Sequence, residues 1–152
     1  MADKTSSTMA IDVRRPVIMA VIADFAAYPK WASGVRSAEI LQTGADGHAQ
    51  RVRFAIDAGM IKDSYVLSYT WEGDDQVRWV LAERGAMISE MSGAYLLDER
   101  DGGTTVTYEL TVGLAVPMIG MLKRRAEKTI IDTALKGLRS RAENVADRGV
   151  DQ

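Results

Sequence analysis

The chain has 152 residues, 47% hydrophobic and 26% charged, with 19 basic and 21 acidic side chains and a net charge of −2. That length and balance suit one globular domain able to bury roughly two thirds of its unfolded surface, and so small a charge implies neither a nucleic-acid partner nor a general attraction to membranes. The lack of cysteine removes disulfides, thiolate nucleophiles and cysteine metal sites, and a single histidine, His48, removes imidazole clusters.

Residues 8–15 alternate, with Met9, Ile11 and Val13 on one side and Asp12 and Arg14 on the other, the period of a half-buried strand. Residues 1–7 and 147–152 are expected to fray, which leaves an ordered core of about 8–146 in a single domain spanning 1–152. Arg14-Arg15 before the apolar run 16–23 has the outline of an export signal. The run is short, however, begins with proline, follows Asp3 and Asp12 and ends at Asp24, so it is read as a helix. No window approaches the roughly 18 apolar residues of a membrane span, and the expected location is cytoplasmic.

Pro16 suits the first turn of that helix, which is expected to run to about Ala26 with Val17, Val21 and Phe25 on one stripe and Ile18 and Ile22 on the next. Pro29 restrains Tyr28 and is expected to end it. A second short helix can begin at Pro29 and stop before Gly34.

From residue 35 the period shortens, and strands are predicted near 35–43, 47–58, 61–72, 76–83, 86–98 and 104–114. The turn formers between them, 44–47, Gly59, 73–75, Gly85 and 101–103, make the neighbours antiparallel. Alternation places Phe54, Tyr65, Leu67, Tyr69, Trp79, Met91 and Tyr108 on a covered face, with Trp71 sharing the parity of Tyr69, while Arg51, Arg53, Thr105, Thr107 and Glu109 face water. After Pro117 the period is helical again, with Ile119, Leu122, Ala126, Ile130, Ala134, Leu138, Ala142 and Val145 spaced at three or four. This helix is expected to cover the sheet. Its segment is locally basic: residues 117–152 hold 8 basic and 5 acidic side chains, against 11 and 16 in residues 1–116.

The order of one strand, two short helices, six strands and one long helix resembles the α+β helix-grip fold of the START-like (SRPBCC) superfamily, a curved antiparallel sheet of about seven strands around a C-terminal helix. Residues 21–35, VIADFAAYPKWASGV, look like that family's aliphatic pair, Asp, then Tyr-Pro-x-Trp; residues 93–110, GAYLLDERDGGTTVTYEL, look like its glycine and aromatic strand, acidic turn and Gly-Thr-x-Val-Thr strand. Within the superfamily the chain is most similar to the bacterial polyketide cyclase/dehydrase and lipid-transport branch, with coenzyme Q-binding proteins nearby. The resemblance implies a cavity between sheet and last helix that holds an apolar or aromatic ligand.

On that footing the expected function is binding, and in some settings transport, of a lipid, polyketide or isoprenoid quinone. The expected lining is Phe54, Tyr65, Leu67, Tyr69, Trp79, Met91, Tyr95, Tyr108, Met118, Leu122, Ala126 and Ile130. A second reading is a polyketide cyclase, aromatase or dehydratase, for which Tyr65, Tyr95 and Asp63 are the weak catalytic candidates. A third is a packed domain that works through a protein partner. Each tyrosine is more simply a core aromatic with its hydroxyl tied to backbone, Asp63 a solvated strand-end residue, and His48 a solvated turn residue.

Met118, Ile119, Met121 and Leu122, backed by Lys123, Arg124 and Arg125, could touch an anionic membrane; the plainer expectation is a helix start whose basic face is solvated or pairs with the acidic body. The carboxylates of 74–75 and 98–101 lie in turns without metal-ligand spacing, and there is no Gly-rich phosphate loop, so neither metal nor cofactor is expected. The expected state is a monomer or homodimer.

Overall fold

A computed structural model of the chain describes residues 4–58, 61–115 and 120–150, and the side chains of all of these except residues 58, 120–123 and 148–150. β1 (Thr5–Ile11) leads into α1 (Arg15–Ala23), a 3₁₀ turn (Phe25–Ala27) and α2 (Tyr28–Trp31). Six strands follow, β2 (Val35–Thr43), β3 (Ala49–Ala58), β4 (Ile61–Glu72), β5 (Gln76–Glu83), β6 (Ile88–Arg100) and β7 (Gly103–Leu114), and then α3 (Gly120–Val150). The strands form one sheet in the order β1-β7-β6-β5-β4-β3-β2, antiparallel throughout. Because β1 and β2 are its two edges, the α1–α2 segment must cross the full width of the sheet, and it closes one end of the curved face as it does so.

The strand positions follow the alternation and turn chemistry closely, and the departures have local causes. β1 starts at Thr5, not Thr8, because Thr5–Ser7 pair with Tyr108–Leu110 at the sheet edge instead of fraying. It stops at Ile11; Val13 is still buried, and its carbonyl accepts the Thr104 hydroxyl at 2.7 Å. α1 ends at Ala23, three residues before the expected Ala26, because Asp24 leaves the helical region (φ −87°, ψ 75°). Asp24, not Pro29, is the breaker. Pro29 sits in the first turn of α2, and Tyr28 keeps a helical backbone before it (φ −51°, ψ −43°), tied by its hydroxyl to the Ile22 carbonyl at 2.5 Å and stacked on Phe25 at 4.9 Å. At the other end α3 runs on through Val150.

α3 presents two apolar faces. Ile131, Leu135, Leu138 and Ala142 are fully buried in the core, against β1, β7 and α1. Ala126, Ile130 and Ala134, one position out of phase, stand over the open part of the concave sheet. Gly137 lets the helix rest directly on α2, since a Cβ there would overlap the Trp31 carbonyl oxygen.

Candidate functional site

Between the concave face and α3 lies a cavity of about 650 Å³, within the size range of small-molecule sites. Its floor is a run of aromatic rings set by strand register. Tyr69 pairs with Trp79 across β4–β5, and Tyr95 with Tyr108 across β6–β7. Ring centroids step from Tyr69 to Trp79 (5.8 Å), Trp79 to Tyr95 (5.5 Å) and Tyr95 to Tyr108 (4.7 Å), in tilted and edge-to-face contacts that aromatic quadrupoles favour. The Trp79 ring can lie flat against the sheet because its register partner is Gly93, where a Cβ would fall 2.5 Å from the ring and 2.8 Å from the Glu109 carbonyl.

The hydroxyls divide into two groups. Tyr28 donates to the Ile22 carbonyl. Tyr65, Tyr69, Tyr95 and Tyr108 line the cavity, and among the described residues none of their hydroxyls has a hydrogen-bond partner. None is sealed from the cavity space either. Burial pushes all of these phenols up, with the charge that Tyr108 would carry adding to the effect at Tyr28, Tyr65, Tyr69 and Tyr95. At neutral pH they are uncharged groups that donate and accept hydrogen bonds and do not serve as bases.

The lining continues through Ser33, Gly34, Asp57 and Ile61 on the sheet side and Arg125, Thr129 and Ile130 on α3, and of these Ser33, Arg125, Thr129 and Ile130 are exposed. Its sheet side is fixed by the Asp57 N–H donated to the Gly34 carbonyl at 2.7 Å, and the Asp57 carboxylate lies 3.8 Å from Arg36 and 3.9 Å from Lys62. Arg125 is exposed on the opposite side.

A family profile described as polyketide cyclase / dehydrase and lipid transport matches residues 11–139. The chain belongs to this family. Solved structures agree at the level of fold. A START superfamily protein from Mycobacterium smegmatis aligns at 18% identity over 93% of this chain and 98% of the other, with a TM-score of 0.86. The Zhui aromatase/cyclase from Streptomyces sp. R1128 aligns at 14% identity over 94% of both chains, with a TM-score of 0.78. The di-domain aromatase/cyclase StfQ of the steffimycin biosynthetic pathway aligns at 10% identity over 97% of this chain and 52% of its own, with a TM-score of 0.80. No curated protein matches the sequence.

In this family member the fold gathers Phe54, Tyr65, Leu67, Tyr69, Trp79, Met91, Tyr95, Tyr108, Ala126 and Ile130 around one space. Met118 lies outside the described residues, as do the side chains of Leu122 and the rest of the apolar tip and basic start, Ile119, Met121 and Lys123. Arg124 and Arg125 are exposed near the start of α3. Among the described residues no helix is long and apolar enough to cross a membrane, and no group of three or more His, Asp or Glu could hold a metal.

Three placements differ from expectation. Asp63 is a partly solvated residue near the start of β4, as expected, and not a wall residue, but its carboxylate is not free: it accepts the backbone N–H groups of Ser64, Ala86, Met87 and Ile88 at 2.7–3.0 Å. Burial is the largest influence on its pKa and raises it, but the four N–H donors together outweigh burial and hold the carboxyl below the usual range. A carboxylate so occupied is a poor general base. Trp71 does not reach the cavity. Its indole N–H donates to the Ala49 carbonyl at 2.7 Å, and its ring stacks on His48 at 4.8 Å, so His48 is a half-buried ring with Nδ1 3.2 Å from Asp46 Oδ2. The third is the corner of α2: Tyr28, Trp31 and Ser33 belong to the wall, as do Leu110, Val112, Thr129 and Thr133. Leu110 and Val112 share the parity of Tyr108, and Thr129 and Thr133 follow Ala126 at helical spacing, so those four were legible; the corner was not, because nothing local says that α2 folds back under α3.

Proposed function

We propose that this protein binds a hydrophobic small molecule that carries oxygen acceptors, of the polyketide or quinone kind, in the cavity between sheet and α3. The observation that carries this is the set of four cavity tyrosines whose hydroxyls have no hydrogen-bond partner among the described residues. An entirely apolar ligand would strip water from these hydroxyls and leave them unpaired, at about 1–3 kcal/mol each. A ligand with carbonyl or hydroxyl groups replaces that water and gains the apolar contact as well, about 25 cal/mol per Å² of area buried. Among the ligand classes the family name covers, this favours oxygenated ring systems over plain acyl chains. A cavity of this size also favours binding over a packed domain that acts only through a protein partner.

The test is direct. Protein purified under native conditions and then denatured should release an apolar, oxygen-bearing compound detectable by mass spectrometry, and adding such compounds to the stripped protein should raise its Tm. Absence of both would remove the reading.

A second reading, catalysis of cyclisation or dehydration, draws support from the likeness to aromatase/cyclases and from neutral phenols that can donate to a developing enolate oxygen. Of the candidate bases, His48 is outside the cavity and Asp63 is committed to backbone, which leaves Asp57, a lining carboxylate held between Arg36 and Lys62. If Tyr65→Phe and Tyr95→Phe each leave turnover of a poly-β-ketone unchanged, this reading loses the residues assigned to it.

A further inference from the structure

Asp63 stands where the sheet loses its ladder. β4 and β5 pair from Glu72↔Gln76 to Val66↔Glu83, with a register shift beside Val66. β5 and β6 pair only from Gln76↔Leu96 to Val80↔Ser92. Beyond these points residues 61–65 of β4 have no partner on the β5 side, and residues 88–91 of β6 pair with β7 alone. The result is a seam in the sheet with Ile61, Ile88 and Met91 on its cavity side.

One carboxylate spans it. Asp63 Oδ1 accepts the Ala86 N–H at 2.8 Å, and Oδ2 accepts Met87 at 3.0 Å and Ile88 at 2.7 Å, while the Ser64 N–H at 2.9 Å orients the group from its own strand. Gly85 makes the room, since a Cβ there would overlap the carboxylate. The turn is otherwise fastened by Gly85 N–H to the Ile88 carbonyl at 3.0 Å and by Ala115 N–H to the Met87 carbonyl at 2.7 Å. Both of these lie on the β6 side of the seam.

We propose that this seam is a ligand portal and Asp63 its latch, an inference that rests on the binding function proposed above. Ladder hydrogen bonds break with their neighbours, so opening a paired region means unzipping strands. Among the described residues, the hydrogen bonds across the seam all end on one side chain, which can swing away while the β3–β4 and β6–β7 ladders stay intact, the kind of low-cost local opening from which lids are drawn. Asp63 is a positioning residue: it touches the turn and not the ligand.

The experiment follows displacement of the fluorescent probe N-phenyl-1-naphthylamine by stopped flow in wild type, Asp63→Asn, Gly85→Ala and Thr104→Val. The last removes a buried hydroxyl that bonds the Val13 carbonyl away from the seam and serves as a matched destabilised control. Asp63→Asn and Gly85→Ala should speed probe release by about tenfold with Kd within about twofold of wild type, because uptake quickens equally; Thr104→Val should lower Tm without changing release. Release in Asp63→Asn no faster than in Thr104→Val overturns the latch and leaves binding standing. A wild type that takes up neither this probe nor a fluorescent hydroxyanthraquinone, which carries the oxygen acceptors the probe lacks, removes binding and portal together. Amide hydrogen exchange reports on the latch without a ligand: Ala86, Met87 and Ile88 should exchange by local opening, faster than Leu67 and Trp79. Exchange only by global unfolding would overturn the proposal even if Asp63→Asn fails to fold.

Discussion

Tyr28 and the four cavity tyrosines are chemically identical and differ only in where the hydroxyl ends. Tyr28→Phe deletes a buried hydrogen bond to the Ile22 carbonyl and should lower stability by about 1 kcal/mol, whereas Tyr95→Phe and Tyr108→Phe remove hydroxyls without protein partners and should change it by less than about 0.5 kcal/mol. Urea unfolding of the three variants checks this; equal losses would mean that the cavity hydroxyls are held by the protein after all. Asp63 gives a pH signature. Its carboxyl is held below the ordinary range in the folded state, so its contribution is fully present above the unfolded pKa of about 3.9 and lost as pH falls through the lower folded value. Asp63→Asn should therefore cost up to about 1 kcal/mol at neutral pH, since the carboxylate is partly exposed and its bonds are screened, and the gap to wild type should narrow as acid protonates the native carboxyl. A gap that does not depend on pH would place the loss in packing. Neither distinction was visible in sequence, where alternation assigns each residue a face but not the partner that its polar atom finds.

For α3, the decisive position is Gly137. Glycine costs a helix interior about 1 kcal/mol relative to alanine, so Gly137→Ala should stabilise an unconstrained helix. Here the added methyl would meet the Trp31 carbonyl; the expectation is a net loss of about 1–3 kcal/mol, read as a fall in Tm. A rise in Tm would show that α3 does not bear on α2. The existence of α3, of the six later strands and of the turns between them was legible, apart from the turn expected at Gly59, which lies outside the described residues, because periods of 3.6 and 2 are local properties of a chain that must hide one face. The break at Asp24 and the early start of β1 were not, since the first depends on a single residue's backbone and the second on a partner strand about a hundred residues away.

At the scale of the whole molecule, the cavity is space that the sheet's curvature keeps α3 from filling. Ala134 faces that space from α3. Ala134→Phe should place a ring inside it, weaken binding of N-phenyl-1-naphthylamine by at least about tenfold and shift Tm by only a few degrees, because the ring enters room already present. Loss of the fold instead would mean that the space is not available to a side chain.

The family, the order and period of the elements, and the inward parity of Tyr65, Tyr69, Trp79, Tyr95 and Tyr108 can be read along the chain, because burial patterns and the Tyr-Pro-x-Trp and Gly-Thr-x-Val-Thr segments are written in neighbouring residues. That the inward face surrounds a cavity and does not meet a complementary surface emerges from the folded arrangement of sheet and α3. The tertiary structure alone made Tyr28 and Trp31 part of that wall, and turned Asp63 from a candidate base into a clasp between strands. These outcomes depend on sheet curvature, on where ladders end and on which distant backbone groups come within 3 Å of a carboxylate, distances that no local pattern encodes.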